Sequence, residues 1–440
     1  MPHSSARGAH PGQKDRRRAA VAAALALIAT ALAGCGGGSG KPTLTWYINP
    51  DPPPPAGFKG GFGQAGIAER CSTDQYTIKV QQLPGDATQQ RIQLARRLAA
   101  KDSGIDLMSL DPVFTGEFAN AGFLAPLPAD LATELKDSTL SGAVDGATWN
   151  GKLAVAPLWA NTQLLWYRKS FAHKAGLDMT KPVTWDQIIK AASDNGGTVG
   201  VQANKYEGYV VWINALIEGA GGAIVEDTTK GSDAKVTIDS DAGRDAAKVV
   251  EDLAHSKAAE GDLSVSNEGT VLGPFATPQG AFQVNWTFIY SNYKADKATL
   301  DDLGWTRYPQ TVAGTPSKPP LGGINIGINK ASSHLDDATA AAKCITSSQN
   351  QVTYAIETGN MPASKAAYDS PELKKAYPAD LLTAFSSSIE AAGPRPVTPY
   401  WSDISSAIQS TWHAPSSVGS GTPKDSADFI TDVLKGRKLL

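Results

Sequence analysis

Histidine and cysteine are scarce in this chain, at six and three of 440 residues. The histidines are scattered and no Cys/His cluster has metal-ligand spacing, so no metal centre is indicated and no cofactor is expected. An excess of charge is missing too. Lys and Arg number 40 against 43 Asp and Glu, which gives no reason to expect nucleic acid, whose binders carry a basic face. Beyond the N-terminal region no apolar run nears the roughly 20 residues of a bilayer span. No internal repeat is visible, and neither is the nucleophile motif of a hydrolase. The remainder is an ordinary globular composition, 41% hydrophobic and 19% charged, long enough for two domains. Ten Trp is a high number; aromatic faces are more often core than site, but a sugar-binding cleft also requires them.

The N-terminus carries the sharpest signal. Arg16-Arg17-Arg18 precede an apolar run from Ala19 to Ala33, which ends in Leu32-Ala33-Gly34-Cys35. A basic start, a short apolar segment and small residues describe a secretory signal, here residues 1–34. The last four resemble a bacterial lipobox, in which the cysteine thiol is alkylated by a diacylglyceryl group before cleavage. Cys35 is then the lipidated N-terminus, and residues 35–42, with Gly36-Gly37-Gly38-Ser39-Gly40, form a flexible tether. The expectation is a body held to the extracytoplasmic face of the cell membrane by its lipid. Cys71 and Cys344 are left as an even pair in an oxidising compartment, which favours a disulfide.

Along the body, Thr43 to Ile48 reads as a strand and Pro50 to Gly66 as a loop. Asp86 caps a helix running through Ala100, and Ile105 to Leu110 is a short strand. Asp111 and Pro112 then open another helix that stops at Gly122. Trp149-Asn150-Gly151 is a hairpin turn. Lys152 to Leu158 and Gln163 to Arg168 read as two strands interrupted by Trp159-Ala160-Asn161-Thr162. Thr184 and Gln187 make a capping box, Tyr206 to Ile217 and Asp241 to Ala254 are helical, and Gln279 to Ile289 and Leu321 to Asn329 are extended. Helices over Asp336 to Ser347, Leu373 to Ala391, Ser402 to Trp412 and Asp425 to Lys435 complete the chain. Alternating strands and helices imply an α/β fold with mainly parallel sheets. Two separated groups of such units imply two lobes, each a sheet flanked by helices, with the ligand cleft between them.

Several stretches then resemble one family together. Asp106-Leu107-Met108-Ser109-Leu110-Asp111-Pro112-Val113-Phe114, with Gly122-Phe123-Leu124-Ala125-Pro126-Leu127, is similar to the first-lobe signature of sugar-specific extracellular solute-binding proteins of ABC importers. Ala156-Pro157-Leu158-Trp159 through Trp166-Tyr167-Arg168-Lys169 resembles that family's crossover. Phe275, Gly280-Ala281-Phe282, Asn285-Trp286, Leu321-Gly322-Gly323-Ile324-Asn325 and Gly393-Pro394-Arg395-Pro396 through Tyr400-Trp401 complete the set. Within the family, the chain is most similar to the trehalose-binding lipoproteins of mycobacterial importers. The resemblance implies a periplasmic-binding-protein-like fold and a monomer that captures a trehalose-like disaccharide and delivers it to the transmembrane subunits of a permease. The lobes implied are 43–160 with about 308–360, and about 161–307 with about 361–440. It is not an enzyme on this reading; a lipid-anchored glycoside hydrolase is the alternative.

A neutral sugar has hydroxyl edges and weakly polar C–H faces, so its site needs acceptors, fork donors and flat aromatics. Asp111 at a strand end can accept hydroxyls, Arg395 between two prolines can donate as a stiff fork, and Trp286 can stack on a ring face. Gly323 permits close backbone approach. The resemblance implies Asn161, between two strands, and Glu268, before the Phe275 to Gly280 pattern, as further contacts; Tyr400 or Trp401 could supply a second aromatic wall, and Asn49 and Gln82, each in a loop after a strand, are further candidates.

Overall fold

The computed structural model describes residues 40–438. The signal segment, Cys35 and most of the tether therefore lie outside the described residues. Among the described residues no helix is long and apolar enough to cross a membrane.

Eight strands form one mixed sheet: β1 (Thr43–Ile48), β2 (Thr77–Gln82), β3 (Leu107–Leu110), β4 (Ala156–Arg168), β5 (Thr198–Gly200), β6 (Gly280–Trp286), β7 (Leu303–Thr306) and β8 (Leu321–Ile328). Their order is β2-β1-β3-β8-β4-β6-β5, with β7 also paired to β4. The expectation of mainly parallel pairing needs correction. β1 is parallel to β2 and β3, and β5 to β6. β4, however, is antiparallel to all three of its partners, β6, β7 and β8. The late strand β8 returns between β3 and β4, antiparallel to both.

The central element is β4. The sequence reading split it at Trp159 to Thr162, whereas the chain is extended over all 13 residues, the first 11 buried. Burial on both faces explains the misreading, because a strand covered on both sides shows no alternation to mark it. Ala156 to Thr162 pair with β8, and Gln163 to Arg168 pair with β6 and β7. One strand thus joins two sets of partners, one through each half. Asn325 pairs with Pro157 and Ile324 with Trp159, so a register shift falls where proline has no N–H to offer the ladder.

The helices follow their local signals. α1 (Gly63–Cys71) begins inside the stretch read as loop. α2 (Ala87–Ala99) is capped by the Asp86 side chain, which accepts from Gln89 N. α3 (Trp185–Asn195) carries the Thr184/Gln187 capping box. α4 (Glu207–Gly219) is buried all round except at Glu218, the pattern of a core helix. α5 (Leu335–Ile345) is joined to α1 by the Cys71–Cys344 disulfide. α6 (Ser348–Thr358) and α7 (Trp401–Trp412) follow. The single helix expected from Leu373 to Ala391 is two, Pro371–Ala376 and Ala379–Glu390, because Pro378 cannot continue the first. Trp46, Trp166, Trp185, Trp212, Trp401 and Trp412 are fully buried, so most of the tryptophan surplus is core.

Candidate ligand-binding cleft

Where β4 passes from one set of partners to the other, a cleft of about 360 Å³ opens, at the lower end of the roughly 300–1,000 Å³ of small-molecule sites. It sits beyond strand ends, as the topology of open α/β sheets favours. Asn49 follows β1, Asp111 follows β3 and Trp286 ends β6. Trp159 and Asn161 come from β4, Gly322 and Gly323 from β8, Glu268 from the loop before β6, and Arg395 from the segment after Ala379–Glu390.

The cleft brings together Asn49, Asp111, Asn161, Glu268, Trp286, Gly323 and Arg395. Three residues expected at the site do not line it. Gln82 is the exposed last residue of β2 rather than part of a loop after it. Tyr400 packs near Gly231. Trp401 is fully buried, with its indole N–H donated to Glu207 at 2.8 Å.

Trp286 is half-buried and lies across Gly322, where a Cβ would sit 2.8 Å from the ring. A side chain at Gly322 would displace the indole. Gly323, at φ +134°, lies so close to β4 that a Cβ would come 2.3 Å from the Trp159 carbonyl oxygen. Both glycines are thus required by packing, and together they leave backbone as the cleft wall.

Glu268 accepts from the Tyr206 hydroxyl at 2.7 Å. Burial pushes its carboxyl up from the usual range, with the nearby Asp86 adding to the rise, while the Tyr206 hydrogen bond opposes it. Asn161 is heavily committed: its carbonyl accepts from Thr162 N at 2.9 Å and from the Thr287 hydroxyl at 2.9 Å, binding β4 to the end of β6. Asn49 Oδ1 is buried and has no hydrogen-bond partner among the described residues. The Arg395 fork is engaged by two carboxylates, Glu207 at 2.6 Å and Asp111 at 2.9 Å.

Sequence reasoning missed Trp159, Tyr206, Glu207 and Asn360 as lining residues, and took Asp86 only as a cap. Trp159 stacks on Tyr354, with centroids 4.7 Å apart, and Tyr354 is held by Asp51 at 2.7 Å. For Glu207 a signal existed: a carboxylate opening a largely apolar helix. A larger groove of about 720 Å³, around Leu124 to Ala132 and Trp149 to Ala154, shares no residue with the cleft. Among the described residues no group of His, Cys, Asp and Glu is arranged to hold a metal ion.

Two lobes sharing one long strand, with polar and aromatic groups converging at the hand-over, define a ligand-binding protein of the two-lobed type. The chain belongs to the bacterial extracellular solute-binding protein family, whose model matches residues 55–352. A probable ABC transporter-binding protein of Deinococcus radiodurans is 24% identical over 317 residues, 69% of this chain and 72% of that one. The mannitol-binding protein of Pseudomonas aeruginosa is 31% identical over 106 residues, 23% of this chain and 24% of that one. Among solved structures, maltose-bound MalE3 of T. maritima superposes with a TM-score of 0.75 at 26% identity, over 90% of this chain and 99% of that one. The GacH receptor of Streptomyces glaucescens, studied unliganded and with acarbose, gives 0.71 at 21% identity over 90% and 98%, a likeness of fold.

Proposed function

We propose that this chain is the substrate-binding lipoprotein of an ABC importer, capturing a neutral, trehalose-like disaccharide outside the membrane and passing it to the permease. The observation that carries the reading is the cleft at the hand-over of β4. There a half-buried indole, the carboxylates of Asp86, Asp111, Glu207 and Glu268, and a buried Asn49 oxygen with no partner among the described residues surround a volume suited to a small ligand. A pyranose has a C–H face for Trp286 and hydroxyls for Asp111, Glu268 and Asn49. The maltose bound by the T. maritima relative has the same chemistry. We further propose lobes of 43–160 with about 308–360 and about 161–307 with about 361–440, the strand hand-over supporting the first boundary. The glycoside hydrolase alternative draws no support from the family match.

Titration calorimetry with trehalose, maltose, sucrose and glucose tests the ligand, with product analysis alongside. Saturable trehalose binding without cleavage is the expected result, and no saturable heat from any of the four would overturn the sugar reading. Anchoring is tested separately: Cys35→Ala should lose the lipid mass and leave the membrane fraction.

A further inference from the structure

Glu207 lies at the floor of the cleft, only 5% exposed, with no ligand role assigned above. Its Oε1 accepts from Arg395 Nη1 at 2.6 Å and from Trp401 Nε1 at 2.8 Å, and its Oε2 accepts from Ser405 Oγ at 2.5 Å. Three donors, at the first turn of α4, surround this one carboxylate and oppose the burial that pushes its carboxyl up. On the far side of the guanidinium, Arg395 Nη2 donates to Asp111 Oδ1 at 2.9 Å. That same oxygen takes the Val113 amide at 3.0 Å. Asp111 Oδ1 is therefore filled twice, and Oδ2 is the oxygen left for the cleft. A guanidinium released from Glu207 would face a single carboxylate, and such pairs close bidentately on both oxygens.

We propose that Glu207 is a positioning residue for ligand capture. By holding Arg395 from behind, it confines the fork to one oxygen of Asp111 and keeps the other open to a ligand hydroxyl. Glu207, Arg395 and Asp111 then act as a relay in which the buried carboxylate decides how much of the cleft carboxylate a polyol can use. This rests on the reading of the cleft as a sugar site.

The test is a double-mutant cycle of Glu207→Gln and Asp111→Asn, read by calorimetry with whichever of the four sugars the wild type binds best, with thermal melting in parallel. Glu207→Gln should weaken binding by at least about tenfold in the otherwise native protein and by less than about twofold in the Asp111→Asn background, since groups acting as a unit are not additive. Equal factors in the two backgrounds, or unchanged affinity, overturn the proposal. If Glu207→Gln fails to fold, Ser405→Ala replaces it, removing one of the three donors; the loss should again disappear in the Asp111→Asn background, and equal losses overturn the idea. A crystal structure of the ligand-free variant reads the relay without any sugar. Arg395 engaging both Asp111 oxygens supports it, and an unmoved Arg395 overturns it. A wild type that binds none of the sugars therefore sinks the sugar reading alone.

Discussion

Trp286 lies half-buried across Gly322, its ring packed where a Cβ at that glycine would sit 2.8 Å away, so the backbone of β8 supports it before any ligand arrives. Replacing it with alanine should cost about 2–4 kcal/mol of sugar binding, as for aromatic hot spots. Apo melting should move little. Calorimetry and a melting curve check both halves; an affinity within about threefold of wild type, or collapse of the apo fold, would make Trp286 a core residue. Trp401 is the control. Fully buried and bonded to Glu207, its change to alanine should lower stability by the roughly 3–5 kcal/mol of a large core truncation, visible as a sharp fall in melting temperature with no ligand present. Gly322→Ala should act in the opposite manner to Trp401→Ala. Its new methyl meets the Trp286 ring rather than the core, so binding should weaken more than stability.

At the scale of elements, the Cys71–Cys344 bridge ties α1 to α5 across 273 residues of sequence. Constraining so long a loop limits the unfolded chain, and disulfides commonly contribute about 2–4 kcal/mol. Peptide mapping without reductant should recover the linked pair, and a Cys71→Ser/Cys344→Ser protein should melt several degrees lower; two alkylatable thiols in the unreduced protein would end the idea. The same scale explains why β4 was misread. It changes partners within one unbroken strand, from β8 to β6 and β7, and a change of partner leaves no mark in the residues themselves. Helix limits were legible where a cap is local chemistry, as at Asp86 and Thr184.

For the whole molecule, buried carboxylates set the pH dependence of stability. Burial pushes the Glu260 carboxyl up from 4.5 to about 7, with Asp262 adding to the rise, and burial likewise pushes Glu218 to about 7, opposed by Asn214 and Lys318. A raised carboxyl means that the folded state binds more protons than the unfolded chain between about 4.5 and 7. Stability therefore falls as pH rises through that window and is flat above it. For Glu260, which is 6% exposed, the cost above pH 7 is on the order of 3 kcal/mol. The apo protein should melt higher at pH 5 than at pH 8, and Glu260→Gln should raise the pH 8 value and shrink the difference; a profile that rises with pH would refute this. Ligand closure belongs to the same scale. Small-angle scattering should show compaction when the cleft binds its sugar, and an unchanged radius at saturation would count against hinge closure.

Which parts of this protein could be read in the chain follows from the range of the forces involved. Helix caps, the Asn150-Gly151 hairpin and the α/β alternation depend on residues a few positions apart, and they are legible. Asp111 and Trp286 were legible as cleft residues because a strand end and an extended run mark them locally and family resemblance marks them again; Asn161 was placed by the resemblance alone, in a stretch read as an interruption that is the interior of β4. The sequence by itself could not separate Trp286 from Trp401, since both are tryptophans at element boundaries. It could not show that Arg395 would meet Glu207 and Asp111, residues 188 and 284 positions away. Those outcomes depend on which surfaces close against each other, a property of packing between distant segments, and only the tertiary structure decides it.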